Sequence, residues 1–93
     1  MKAYKAYLYD YKYVTIIVFK EVHEAKIEYS GLIYNGIDTV CLFRCMLRKE
    51  AKKIRKKFIK YLAKRDKYGN SWWGDLNEMK EIIKKFYSEV YYT

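Results

Sequence analysis

Ala25-Lys26-Ile27-Glu28-Tyr29-Ser30-Gly31-Leu32-Ile33-Tyr34-Asn35-Gly36-Ile37 is the stretch on which the fold turns. Ile27, Tyr29, Gly31 and Ile33 alternate with Lys26, Glu28 and Ser30, the two-residue period of a strand with unlike faces. Asn35-Gly36 between apolar runs is the strongest short-range hairpin signal, because a type I′ turn needs positive φ at both central residues. The pattern predicts a strand over 25–34 folding back on a strand over 37–46. A rival reading has Asp38 or Thr39 capping a helix that runs unbroken from Val40 through Leu47, Ala51, Ile54, Phe58 and Tyr61. Arg44 falls in the middle of that seam, and Asn35-Gly36 asks for a returning strand. Strand is preferred.

Upstream, residues 13–21 are rich in β-branched side chains, with Glu21-Val22-His23-Glu24 as the turn into the next strand. Residues 2–9 make a first strand turning at Asp10-Tyr11-Lys12. Downstream, Ala51, Ile54, Phe58, Tyr61 and Leu62 fall on one side at 100° per residue, predicting a helix over 47–66. Lys67-Tyr68-Gly69-Asn70-Ser71 is a loop with a glycine stop. A second helix over 72–90 carries Leu76, Met79, Ile82, Ile83, Phe86 and Val90 as its apolar stripe, and Asp75 with Glu78 forms a variant capping box. The fold class expected is α+β: a four-stranded antiparallel meander followed by two helices packed on one face (ββββαα), in two layers.

The chain has 93 residues, room for one small domain spanning 1–93. Its 52% hydrophobic and 19% aromatic content exclude a disordered chain. Proline and glutamine are absent, while lysine, tyrosine and isoleucine are heavily used. That bias fits an A/T-rich genome; scarce Gln with abundant Lys and Glu also fits a hot environment, and the whole resembles the composition of small proteins from viruses of hyperthermophilic archaea. No signal peptide is legible at the N-terminus, and the apolar run 14–19 is far shorter than the ~20 residues a membrane helix needs. A cytoplasmic location is expected. Cys41 and Cys45 have no zinc-ligand or disulfide-framework spacing and read as buried small hydrophobes.

The net charge of +9 is concentrated. Between Arg44 and Tyr68 twelve Lys and Arg stand against Glu50 and Asp66, a balance of +10, so the rest of the chain sums to −1. Arg48, Lys49, Lys52, Lys53, Arg55, Lys56, Lys57, Lys60 and Lys64 are the candidate contacts to an anionic partner. A lysine-dominated stripe fits phosphate contact rather than base readout, with Arg48 and Arg55 the residues suited to touching bases. The partner expected is nucleic acid or, alternatively, an acidic or nucleic-acid-binding protein surface on which a virus-type inhibitor would dock.

Along 14–19, Val14, Ile16 and Val18 point one way while Ile17 and Phe19 point the other, so both faces ask for burial. Two helices cover only one. Tyr7, Tyr9, Tyr11 and Tyr13 share a strand face, and with Ile17 and Phe19 they form the expected interface of a homodimer. Trp72-Trp73 reads as packing at a helix entry.

Support for catalysis is thin. Asp10 followed by Glu24-Ala25-Lys26 resembles the Asp…Glu-x-Lys arrangement of the restriction-endonuclease-like nucleases, which implies two carboxylates on a divalent metal and a lysine supporting the attacking water. The resemblance covers these few residues only, so a metal-dependent nuclease ranks third. No cofactor, metal ion or small-molecule substrate is expected.

Overall fold

The computed structural model describes residues 2–11, 14–67 and 76–91. Strands β1 (Lys2–Tyr11), β2 (Val14–His23), β3 (Lys26–Tyr34) and β4 (Thr39–Cys45) are followed by helices α1 (Arg48–Lys67) and α2 (Leu76–Val90). The sheet is an antiparallel meander in the order β1-β2-β3-β4. Both helices lie against one face of it, giving two layers. Residues 39–45 form a strand, as Asn35-Gly36 requires, and not the start of a long helix.

The face beneath the helices collects Val14, Ile16 and Val18 from β2, Tyr29 and Ile33 from β3, and Leu42 and Phe43 from β4. Ala51, Ile54, Phe58, Tyr61 and Leu62 of α1 and Met79, Ile82, Ile83 and Phe86 of α2 close over them. No polar or charged side chain is buried in this core among the described residues. Burial of apolar area at about 25 cal/mol per Å2 is therefore the main force joining the layers.

Two connections differ from expectation. The β3–β4 loop is four residues long, Asn35–Asp38, and the pairing resumes at Tyr34 with Thr39 rather than at Ile37. Asn35 Oδ1 accepts from the Ile37 and Asp38 amides at 2.9 and 2.8 Å, which satisfies donors a tighter turn would have paired across the strands. Gly36 alone has positive φ there, so the turn is not type I′, and Ile37 is thrown into solvent at 84% exposure. The β2–β3 hairpin is tighter than read: β2 runs on to His23, and Glu24-Ala25 is the whole turn. Glu24 adopts φ of 53°.

β4 carries a register shift opposite Gly31 and Leu32. Cys41 pairs with Leu32 and Phe43 with Gly31, leaving Leu42 as the extra residue, so Leu42 and Phe43 both turn inward. Cys41 consequently points away from the helices and is exposed, and Cys45 is half-buried; neither is the buried hydrophobe expected. Burial pushes the Cys45 thiol above its ordinary value, partly opposed by a backbone hydrogen bond at Leu47.

α1 starts without a side-chain cap. The Ala51 amide donates to the Leu47 carbonyl at 3.1 Å, placing Leu47 at the cap with Glu50 three residues on. Leu47 is 66% exposed, so its side chain contributes little packing. Leu47→Ser would complete a capping box with Glu50. The expected gain is about 1 kcal/mol in urea unfolding, and a change below ~0.3 kcal/mol would disprove the cap assignment. The start of α2, with Asp75 and Trp72-Trp73, lies outside the described residues. Among those described, no helix is long and apolar enough to cross a membrane.

Candidate polyanion-binding surface

With Ala51, Ile54, Phe58 and Leu62 fixed against the sheet, helical geometry decides where the remaining α1 side chains go. Arg48, Lys49, Lys52, Lys53, Lys56, Lys60, Ala63 and Lys64 are the exposed side chains described on this helix. Every one except Ala63 is a cation. Lys49 to Lys64 spans fifteen residues of rise, about 22 Å. None of the exposed side chains described on the helix is acidic. Glu50 is half-buried on the flank, where its charge acts on Tyr91 and Cys45.

Arg55 and Lys57 belong to the flanks rather than the crown. The Arg55 guanidinium lies 3.8 Å from the centre of the Tyr9 ring, and the Lys57 ammonium 4.8 Å from that of Tyr91. Each such contact contributes about 0.5–1 kcal/mol at a partly exposed site. Arg65 is similarly turned onto Tyr61, with its guanidinium donating to the Tyr61 hydroxyl at 3.4 Å. Burial first, then the hydrogen bond to Glu89, raises the Tyr61 hydroxyl above its usual value, so it stays a neutral phenol.

A hollow flanks the helix on each side. Toward the sheet, Tyr7, Tyr9 and Tyr29 with Arg48, Lys52 and Arg55 line a space of about 220 Å3. Toward α2, Lys57, Lys60, Tyr61, Lys64 and Arg65 with Glu89 line one of about 470 Å3. The basic stripe thus runs between two recesses rimmed by cations and floored by aromatic rings.

All nine candidate contact residues are on α1: Arg48, Lys49, Lys52, Lys53, Lys56, Lys60 and Lys64 on its exposed face, and Arg55 and Lys57 on its two flanks. The six candidate interface residues are not brought together. Tyr7 pairs with Val18, Tyr9 with Ile16 and Tyr11 with Val14, so these tyrosines share the helix-bearing face and pack half-buried beside the core. Ile17 and Phe19 point to the opposite face, and Tyr13 lies outside the described residues. The two groups cannot belong to one interface.

The nuclease arrangement is also broken. Asp10 sits opposite Thr15, whose hydroxyl donates to Asp10 Oδ1 at 2.7 Å. Glu24 follows His23 at the far end of the same ladder, eight residues along β2 and about 27 Å away. Two carboxylates that far apart cannot share a metal ion. Among the described residues no group of three or more His, Cys, Asp or Glu is placed to hold one. His23 bonds Glu21 at 2.9 Å on the surface.

No family model matches the chain, and no curated protein or solved structure does so.

Proposed function

We propose that the protein is a non-enzymatic binding protein whose α1 lies along a polyanion, nucleic acid in the first place, through phosphate contacts of low sequence specificity. One observation carries this reading: among the described side chains, the exposed face of α1 consists of lysine and arginine apart from Ala63, with none that is acidic. A solvated helix surface ordinarily intersperses Glu with Lys at i,i+4, where each pair adds about 0.2–0.5 kcal/mol. Here like charges repel along the helix, and Arg48 and Lys49 crowd the positive end of its dipole. A bound polyanion reverses both penalties. Lysines outnumber arginines on the crown, which favours charge contact over bidentate base recognition.

The test is binding of protein freed of nucleic acid to labelled duplex and single-stranded DNA and RNA, at several salt concentrations. With roughly four phosphates neutralised, log K should fall against log salt with a slope near −3.6, so affinity drops about 150-fold between 50 and 200 mM salt. The double variant Lys53→Ala/Lys60→Ala should reduce that slope by about 2 on every duplex tried. Absence of binding to all four at 50 mM salt would sink the reading. Binding that dies with one lysine and ignores its neighbours would instead point to a fixed pattern of carboxylates on a protein.

A further inference from the structure

The sheet has a second face, and nothing in the chain described covers it. Register places Leu8, Ile17, Leu32 and Cys41 in one row across all four strands. Ala6, Phe19 and Ser30 make the adjacent row. Leu8 is 67% exposed, while Ile17, Phe19 and Leu32 are half-buried. An antiparallel sheet that faced water here would carry polar side chains at these positions. A contiguous apolar patch at the middle of an open sheet marks an interaction surface.

We infer that this face is covered by the same face of a second copy, and that the resulting dimer carries its two lysine helices on opposite poles and bridges two polyanion segments. The second half of the inference rests on the polyanion reading; the first half does not.

Three features point to a second copy as the occupant. The first is charge. Among the described side chains, Asp10, Glu21 and Glu28 stand against Lys26 and Arg44 on the rim of this face, acidic and basic groups interspersed and close to balance. Such a surface can meet itself without the repulsion that any helix-to-helix approach would bring, and a partner of strong charge gains nothing there. The second is shape: a row of apolar side chains crossing the middle of the sheet is self-complementary, as a two-fold interface requires. The third is area. Four strands spaced about 4.8 Å apart and about nine residues long present roughly 19 by 30 Å. Two such faces bury on the order of 1,100 Å2, above the ~1,000 Å2 that a specific interface needs and just under the standard range of about 1,200–2,000 Å2. Two sheets packed this way form a sandwich with strands aligned at about −30°.

The bridging follows from topology. The helices occupy the face opposite the apolar rows, so a dimer through those rows must point the α1 stripes away from each other. One straight duplex reaches one stripe, and the other stays free for a second duplex. A dimer formed through helices would clamp a single segment instead.

Sedimentation equilibrium of nucleic-acid-free protein at tens of micromolar and 1 M salt should give twice 11.4 kDa. Leu8→Glu and Ile17→Glu, each checked for native circular dichroism, should both return the mass to one copy. Bead-bound duplex loaded with wild-type protein should capture a second, fluorescent duplex, and a variant that stays folded should bind the first but capture at least tenfold less of the second. A monomeric wild type would leave the face to a different protein and overturn the inference. So would a dimer that survives both substitutions in folded protein. A dimer that binds duplex without capturing another overturns the bridging alone. Failure to bind any duplex sinks the polyanion reading, and the mass still decides the dimer.

Discussion

Gly31→Ala is expected to destabilise the protein by about 3 kcal/mol, lowering its melting temperature by roughly 10–20 °C. An alanine Cβ at this position would lie 2.2 Å from one Phe43 ring carbon and 2.6 and 2.7 Å from two others. Phe43 is buried and has no route to solvent, so the ring cannot swing aside without displacing its neighbours. The requirement at Gly31 is space, since its backbone is ordinary strand. The extra residue in β4 turns both Leu42 and Phe43 inward, and Phe43 then lies across the strand opposite it. Phe43→Leu should relieve the clash, so the double variant should be at least about 1 kcal/mol more stable than the two single losses predict together. Calorimetry or urea unfolding of the four proteins checks this. A loss below 0.5 kcal/mol for Gly31→Ala would show that the ring does not occupy that space.

That contact explains what a sequence can and cannot disclose about this chain. Alternation over residues 27–33 correctly assigns Tyr29, Gly31 and Ile33 to the core face, and the 3.6-residue period of Ala51, Ile54, Phe58 and Leu62 does the same for α1. These are local periodicities, and local periodicity is legible. The bulge in β4 is not, because it is a feature of the pairing of β4 with Gly31 and Leu32 on another strand. Nor was the turn chemistry at Asn35, where a side-chain amide oxygen replaces the cross-strand partner and lengthens the loop.

The tyrosines make the point about register. Tyr7, Tyr9 and Tyr11 had to share a face, but which face depends on the turn that follows. A three-residue turn at Asp10-Tyr11-Lys12 would set Tyr9 opposite Tyr13 and put Tyr7 with Ile17 and Phe19. β1 instead runs to Tyr11 and pairs it with Val14, an odd shift in register that sends the whole column to the other side. The consequence reaches the candidate site. Arg55 is laid on Tyr9, and the hollow beside α1 is floored by rings that alternation alone would have left on the far face. The basic stripe needed no such long-range information, since its members are all on one helix.

Phe86→Ala is expected to remove about 4 kcal/mol, a large part of the 5–14 kcal/mol ordinary for a chain of this length. Phe86 is fully buried, and its ring meets Phe58 at 5.0 Å, Tyr61 at 5.6 Å, Tyr87 at 5.0 Å and Tyr91 at 5.7 Å, mostly edge to face. Each such pair adds about 0.5–1.5 kcal/mol beyond the area it buries. The cluster joins α2 to α1, while the Tyr87 hydroxyl, donating to the Leu42 carbonyl, joins α2 to the sheet. Truncating Phe86 therefore loosens α2 from both layers, and urea unfolding should report the loss as a lower midpoint. The stripe lysines are on the opposite side of α1, held there by Ala51, Ile54 and Leu62 packing on the sheet. Below its melting temperature Phe86→Ala should keep the salt slope of binding unchanged, whereas Lys53→Ala/Lys60→Ala should lose slope and keep stability within about 0.5 kcal/mol. A reduced slope in Phe86→Ala would show that α2, through the aromatic cluster, sets the orientation of the charged face as well as its stability.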